Sequence, residues 1–291
     1  MITIPEYKKI RAVIDTDAAC EADDPFAIAH ALLSPKLIVK GITAEHFARK
    51  GSMERSCREI CTILDAMEIK VPVFKGQTGP LSQDGDLSEA AEFIIAEAMR
   101  EDEKPLYILC LGAITNVAMA VSRRPEITER MTVIWIGTHG TKYGSPVPFR
   151  EFNAGNDVEA ANLILKTCRK LWLVPSYVYT TVHIGLAEIK RRIAPCGMIG
   201  KHLYENMTEY NLSEEAGWTQ GESWSLGDSP AVAIAVNPGC GRYTVEPAPC
   251  VDEDTGSLLC ENNPKIRVYQ DVDSRYILED LIAKLELFSM Q

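Results

Sequence analysis

Short, almost wholly apolar runs recur along this chain with helix-length segments between them, and that alternation limits the fold more than any other feature. Residues 10–15, 37–43, 71–74, 105–111, 132–136 and 171–174 read as strands. Residues 24–33, 52–67, 89–99, 114–122 and 158–166 carry helical periodicity; in the second of these, Ile60, Ile63, Leu64 and Met67 share one stripe. Strands that are apolar on both faces and separated by helices predict an α/β fold, with a mostly parallel central sheet covered by helices on both faces. After Pro175 the pattern loosens. Residues 183–225 read as a polar helical excursion with Trp218 and Trp224 near its end, followed by a helix over 228–236, a strand over 266–269 and a last amphipathic helix over 276–288. There is no internal repeat or linker, and 291 residues fit one large domain spanning 1–291.

The first strand runs straight into carboxylates: Asp15, Asp17, Glu21, Asp23 and Asp24 fall within ten residues, just before a helix that opens at Pro25. Carboxylates this close repel one another unless something positive sits among them. A hard, oxygen-loving divalent cation meets that need. The carboxyl ends of strands in open α/β sheets are also where ligands bind. A solvated acidic turn capping the helix through Asp23 or Asp24 is the alternative.

The formal net charge of −11 argues against nucleic-acid polymers and anionic membrane surfaces as partners, but not against a small neutral ligand. No run is long and apolar enough to span a bilayer, and the N-terminus lacks the apolar core of a signal peptide. Nine cysteines, scattered and without a CxxC pair, fit free thiols in a reducing cytoplasm.

Three further segments echo the acidic loop. Leu111-Gly112-Ala113-Ile114-Thr115-Asn116 is a second strand-to-helix turn, where a free carbonyl or hydroxyl can face a metal. Glu151-Phe152-Asn153 precedes Asn156-Asp157 and a helix. Read as extended, it aims Glu151 and Asn153 the same way, as the hydroxyls of a sugar would require; read as a loop, it caps the helix. Gly227-Asp228-Ser229-Pro230 starts an apolar helix.

Order and spacing of these four segments resemble the calcium-dependent, inosine–uridine-preferring nucleoside hydrolases. The matching pieces are Asp15/Asp17…Asp23-Asp24, Gly112 to Asn116, Glu151-Phe152-Asn153…Asp157-Val158-Glu159-Ala160-Ala161, and Asp228. The resemblance implies that family's Rossmann-like fold and hydrolysis of a ribonucleoside to base and ribose. It implies Ca2+ held by Asp17, Asp24, the Thr115 carbonyl and Asp228, with Asp17 taking a proton from the metal-bound water. Asp23, Glu151 and Asn153 would hold the ribose, and Asp15 would organise the loop from behind. A homodimer or homotetramer active in nucleoside salvage is implied as well.

The chain departs from the family pattern in places that matter. Five residues, including Glu21, separate Asp17 from Asp23, where the family has three. The run from Thr43 to Ala48 replaces a Gly-Asn pair, and Gly227 stands where many members carry a histidine linked to protonating the leaving base. His46, His139, Tyr143, Tyr179, His183 and Trp224 are the candidates for that role. Two other readings stay open. One is a metal-bound sugar or nucleoside binder without turnover, or an enzyme acting on another glycoside. The other is a phosphatase similar to the haloacid-dehalogenase-like enzymes, suggested by Asp15-Thr16-Asp17 and Gly227-Asp228-Ser229, although Val232 sits where a further acid is expected.

Overall fold

The computed structural model describes residues 2–47, 49–81, 85–141 and 149–290. The expected alternation is present: β1 (Ile10–Thr16), α1 (Asp24–Leu32), β2 (Leu37–Ala44), α2 (Ser52–Met67), β3 (Val73–Lys75), α3 (Glu89–Met99), β4 (Leu106–Cys110), α4 (Thr115–Arg123), β5 (Met131–Ile136), α5 (Phe152–Asn156), α6 (Val158–Thr167) and β6 (Leu171–Val174). There follow α7 (Ser176–Tyr179), β7 (His183–Gly185), α8 (Leu186–Glu188), α9 (Gly197–Asn211), β8 (Ser223–Ser225) and α10 (Ser229–Val236). The chain closes with β9 (Gly241–Pro247), β10 (Cys250–Val251), β11 (Ser257–Leu258), β12 (Lys265–Val272) and α11 (Ser274–Ser289).

Eight strands form one sheet in the order β3-β2-β1-β4-β5-β6-β12-β9. All neighbours are parallel except β12 and β9, which are antiparallel. Every residue of β1 is buried, so its side chains feed two cores in alternation. Ala12 and Ile14, with Leu109 and Ile134, pack against Phe26 and Ile28 of α1, Ile60 of α2, Val232 and Ile234 of α10 and Leu281 of α11. Val13, with Ile108, Val133 and Trp135, packs against Ile94 of α3, Val117 of α4 and Ile164 of α6. Helix α10, apolar on all sides, is buried over seven of its eight residues.

The sheet reverses its direction of growth at β1, which lies between β2 and β4. The connections leaving the carboxyl ends of β1 and β4 therefore diverge and leave a crevice. The acidic loop follows β1 and lies in that crevice.

Two expectations need correction, and one strand of the sheet has no counterpart in the sequence reading. Within the excursion, His183–Gly185 and Ser223–Ser225 form an antiparallel ribbon instead of continuing helix, with Ile184 opposite Trp224 and both buried. Strand β9 closes the sheet edge although its sequence, largely exposed, carries no apolar signal. Cys250 and Cys260 form a disulfide, so nine free thiols do not describe the chain; the other seven cysteines are unpaired.

Candidate active site

Two helices aim their N-termini at one place. Asp24 opens α1 with Pro25 behind it, and Asp228 precedes α10, with Pro230 in its first turn. Proline fixes the backbone for a helix start, and the free amides there favour negative charge. Carboxylate oxygens of Asp23, Asp24 and Asp228 all come within 4.8 Å of one another, and all three residues are buried. Asp17 lines the same pocket, and so does Glu21. The Thr16 hydroxyl donates to Asp24 Oδ1.

Among the described residues, none of these acids forms an ion pair with lysine, arginine or histidine. Burial, reinforced by the neighbouring carboxylates, pushes Asp17, Asp23 and Asp228 well above the ordinary carboxylate range. Burial raises Asp24 to about 6, and burial with the Asp24 charge raises Glu21 to about 7. A fold that gathers this much unbalanced negative charge fits a divalent cation bound by oxygen donors.

A second tier of acids lies beneath. Asp15 Oδ1 accepts from the Thr43 hydroxyl at 2.6 Å and from Asn116 Nδ2 at 2.8 Å. Asp15 does not line the pocket, and its position under the loop suits an organising role. Glu45, one residue beyond β2 and only 1% exposed, approaches Gly112 together with Asp17: a side chain at 112 would collide with Glu45 Oε2 and Asp17 Oδ1. Trp135 Nε1 donates to the Gly112 carbonyl at 3.1 Å and fixes that turn.

Thr115 starts α4, its hydroxyl donating to Asp157 Oδ2 at 2.7 Å and accepting from His46 Nε2 at 2.9 Å. Neither Thr115 nor His46 is among the residues lining the pocket. The His46 imidazole belongs to that buried chain and not to the pocket wall.

Glu151 and Asn153 do not share an extended segment, because Asn153 lies within helix α5. Glu151 is the N-cap of α5 and accepts from the backbone amides of Ala154 at 2.8 Å and Asn153 at 3.3 Å. Its carboxylate also accepts from the Thr138 amide at 2.9 Å and the Tyr179 hydroxyl at 2.9 Å. Glu151 is therefore a fully buried hub, and Tyr179 stands between it and the pocket. Asn153 does line the pocket, its Nδ2 donating to the strand-end carbonyls of Leu111 and Ile136 at 2.8 and 2.9 Å. The hub rests on Thr138, a β-branched residue held at φ 60°. Such a conformation costs about 1–3 kcal/mol. Thr138 is held there by its amide bond to Glu151, a bond from the Gly140 amide to its hydroxyl (2.9 Å), and one from the Ser176 amide to its carbonyl (2.9 Å).

The pocket holds about 730 Å³, within the ordinary range for a small-molecule site. Its floor is acidic and its mouth aromatic: Phe149, Phe152, Tyr179, Trp218 and Trp224 line it with His183 and Arg150. Trp224 is 3% exposed, and its ring centroid lies 5.3 Å from that of Trp218, which is 65% exposed. Among the remaining candidates for base protonation, His139 is buried between Ser176 Oγ and the Phe149 carbonyl, and Tyr143 lies outside the described residues. Sequence reasoning did not find Glu45, Phe149 or Arg150. For Glu45 a usable signal existed, since it follows β2 on the rim where β1 and β4 also end.

The profile of the family described as "Inosine-uridine preferring nucleoside hydrolase" matches residues 12–279. The pyrimidine-specific ribonucleoside hydrolase RihA of Salmonella typhimurium is 26% identical, over 95% of this chain and 98% of its own length. The fold is shared with a purine-preferring ribonucleoside hydrolase from Gardnerella vaginalis (TM-score 0.82, 21% identity, 96% of this chain and 99% of that one). It is shared too with a plant nucleoside hydrolase (TM-score 0.80, 21% identity, 95% and 98%). An unpaired acidic crevice at the turning point of a parallel sheet, met by an end-to-end sequence match, leads to one conclusion: the chain belongs to the inosine-uridine preferring nucleoside hydrolase family of enzymes.

Proposed function

We propose that this enzyme hydrolyses the N-glycosidic bond of ribonucleosides, with Ca2+ as the resident cation and Asp17 as the general base. The observation that carries the reading is the meeting of Asp23, Asp24 and Asp228 beside Asp17, buried and without a counter-charge. Asp17, Asp24 and Asp228, which line the pocket, would hold the cation. When bound, the cation would orient a water, lower its pKa and hold the sugar hydroxyls.

The rest of the chemistry belongs to the chain. Cleavage builds positive charge on the ribose ring, and a carboxylate-lined floor stabilises that charge. Asp17 accepts the proton of the attacking water. Asp23 and Asn153 position the ribose, and Glu151 acts on it through Tyr179 by fixing that hydroxyl. Fixing the sugar against its nucleophile is worth up to roughly 7–11 kcal/mol of barrier. Glu21, at the edge of the acidic floor, supplies charge to the same site.

The test is base release from a panel of purine and pyrimidine nucleosides, with calcium or with a chelator. Calcium-dependent release of free base and ribose is the expected result. Binding of nucleosides without release from any of them would instead make the protein a sugar or nucleoside binder. Cytoplasmic salvage by a homodimer or homotetramer completes the proposal; light scattering tests the assembly.

A further inference from the structure

We propose that His183 is the general acid that protonates the departing base. The inference rests on the riboside reading above and adds the residue that acts on the leaving group. Expelling a nucleobase as an anion is costly, so the C1′–N bond needs a proton donor on the base side. Gly227 supplies none. A Cβ at 227 would sit 3.2 Å from Asp23 Oδ2 and 3.2 Å from the Tyr179 ring, so a larger residue there would press on both side chains.

The chain has five histidines, and four are committed elsewhere. His30 lies 2.8 Å from Asp280 and is fully buried. His46 bonds Thr115 at 2.9 Å, His139 lies between Ser176 and the Phe149 carbonyl, and His202 lies 2.6 Å from Glu59. His183 alone lines the pocket. It pairs across the β7–β8 ribbon with Ser225, two residues before Gly227, so its side chain shares the face of Ser225, itself a pocket residue. The ribbon thus delivers an imidazole to the side of the pocket from which residue 227 delivers nothing. It lines the pocket together with the aromatic rings of Tyr179, Trp218 and Trp224.

The other donors nearby are poorly suited. The Tyr179 proton is committed to Glu151 at 2.9 Å. A guanidinium such as that of Arg150 does not release its proton. Glu21 belongs to the acidic floor, where a bound cation favours the ionised form.

In the step, the C1′–N bond breaks and its electron pair passes to the base nitrogen. That nitrogen or a conjugated base atom takes the imidazolium proton, while the water oxygen bonds to C1′ and gives its proton to Asp17. Solvent then returns a proton to His183 and removes one from Asp17, so the net reaction consumes one water.

The experiment compares His183→Gln and His183→Ala with wild type on uridine, inosine and p-nitrophenyl β-ribofuranoside, whose phenolate leaves without protonation. Circular dichroism and calcium affinity report on folding and on the floor of the site. The acid assignment predicts that the nucleoside-to-aryl-riboside rate ratio falls about 10²- to 10⁴-fold in both variants. An unchanged ratio, whether both rates hold or both fall together, overturns the assignment and leaves the riboside reading standing. So does a fall in that ratio caused by Glu21→Gln instead. Wild-type protein that cleaves neither kind of riboside defeats the riboside reading itself.

Discussion

Replacing Asp24 by asparagine should stabilise the cation-free protein while removing most of its response to calcium. Asp24 is 2% exposed, and burial lifts its carboxyl from 3.8 to about 6. That rise corresponds to roughly 3 kcal/mol between the protonation states. The native state binds the proton more tightly than the unfolded chain does. Below about pH 4 both states are protonated and the penalty is absent; stability then falls as pH rises to about 6 and stays low above it. Asparagine keeps an oxygen for the Thr16 hydroxyl and carries no charge, so it removes the penalty. In chelator at pH 8, Asp24→Asn should exceed wild type by up to roughly 3 kcal/mol, and at pH 4 the two should converge. At about 2.1 cal/mol/K of unfolding entropy per residue, a chain of 291 residues makes this a Tm difference of about 5 °C. Calcium at a hundred times its Kd should return about 2.7 kcal/mol to wild type and far less to the variant. Thermal and urea unfolding with chelator and with calcium, at pH 4, 6 and 8, give every quantity. A cation-free variant no more stable than wild type at pH 8, or one that keeps the full calcium response, would refute the reasoning.

Other expectations concern single positions. Asp17→Asn should abolish turnover while unfolding as cooperatively as wild type; near-normal turnover would remove Asp17 from the general-base role. Asp228→Ala should weaken calcium binding in a calorimetric titration, and unchanged affinity would contradict its place as a ligand. Gly112→Ala places a methyl against Glu45 and Asp17, and a displacement of about 1 Å in the base should lower kcat on the order of a hundredfold. Trp218→Ala should raise KM with little loss of stability, since the ring is largely exposed; a lost base stack is worth about 1–3 kcal/mol by analogy with single-strand binding.

What could be seen in the sequence and what could not divide along physical lines. Strands β1, β4 and β5 are buried on both faces, so their apolar runs announced them. Asp23, Asp24 and Asp228 stood at helix starts marked by proline, and the structure brings them together. Glu151 was harder. Two residues in an extended segment and a cap followed by a helical turn have the same sequence spacing, and only the amides of Asn153 and Ala154 decide between them. The β7–β8 ribbon has three residues per strand, too few to show a period, so the ribbon carrying His183 and Trp224 read as polar helix. Strand β9 lies exposed at the sheet edge, where pairing with β12 rather than burial sets its conformation. Long-range placement of Tyr179 against Glu151 and Gly227 has no local signature at all.

Thr138 has a consequence for how this enzyme could change. Its amide, carbonyl and hydroxyl join the end of β5 to the cap of α5 and the start of α7. The wall that presents Asn153 and the wall that presents Tyr179 are thus fastened to one strained joint. Substitutions on the two sides should therefore show epistasis, their combined effect departing from the sum of the separate ones. Evolution toward a new sugar would have to revise both walls in concert, or loosen the rivet first.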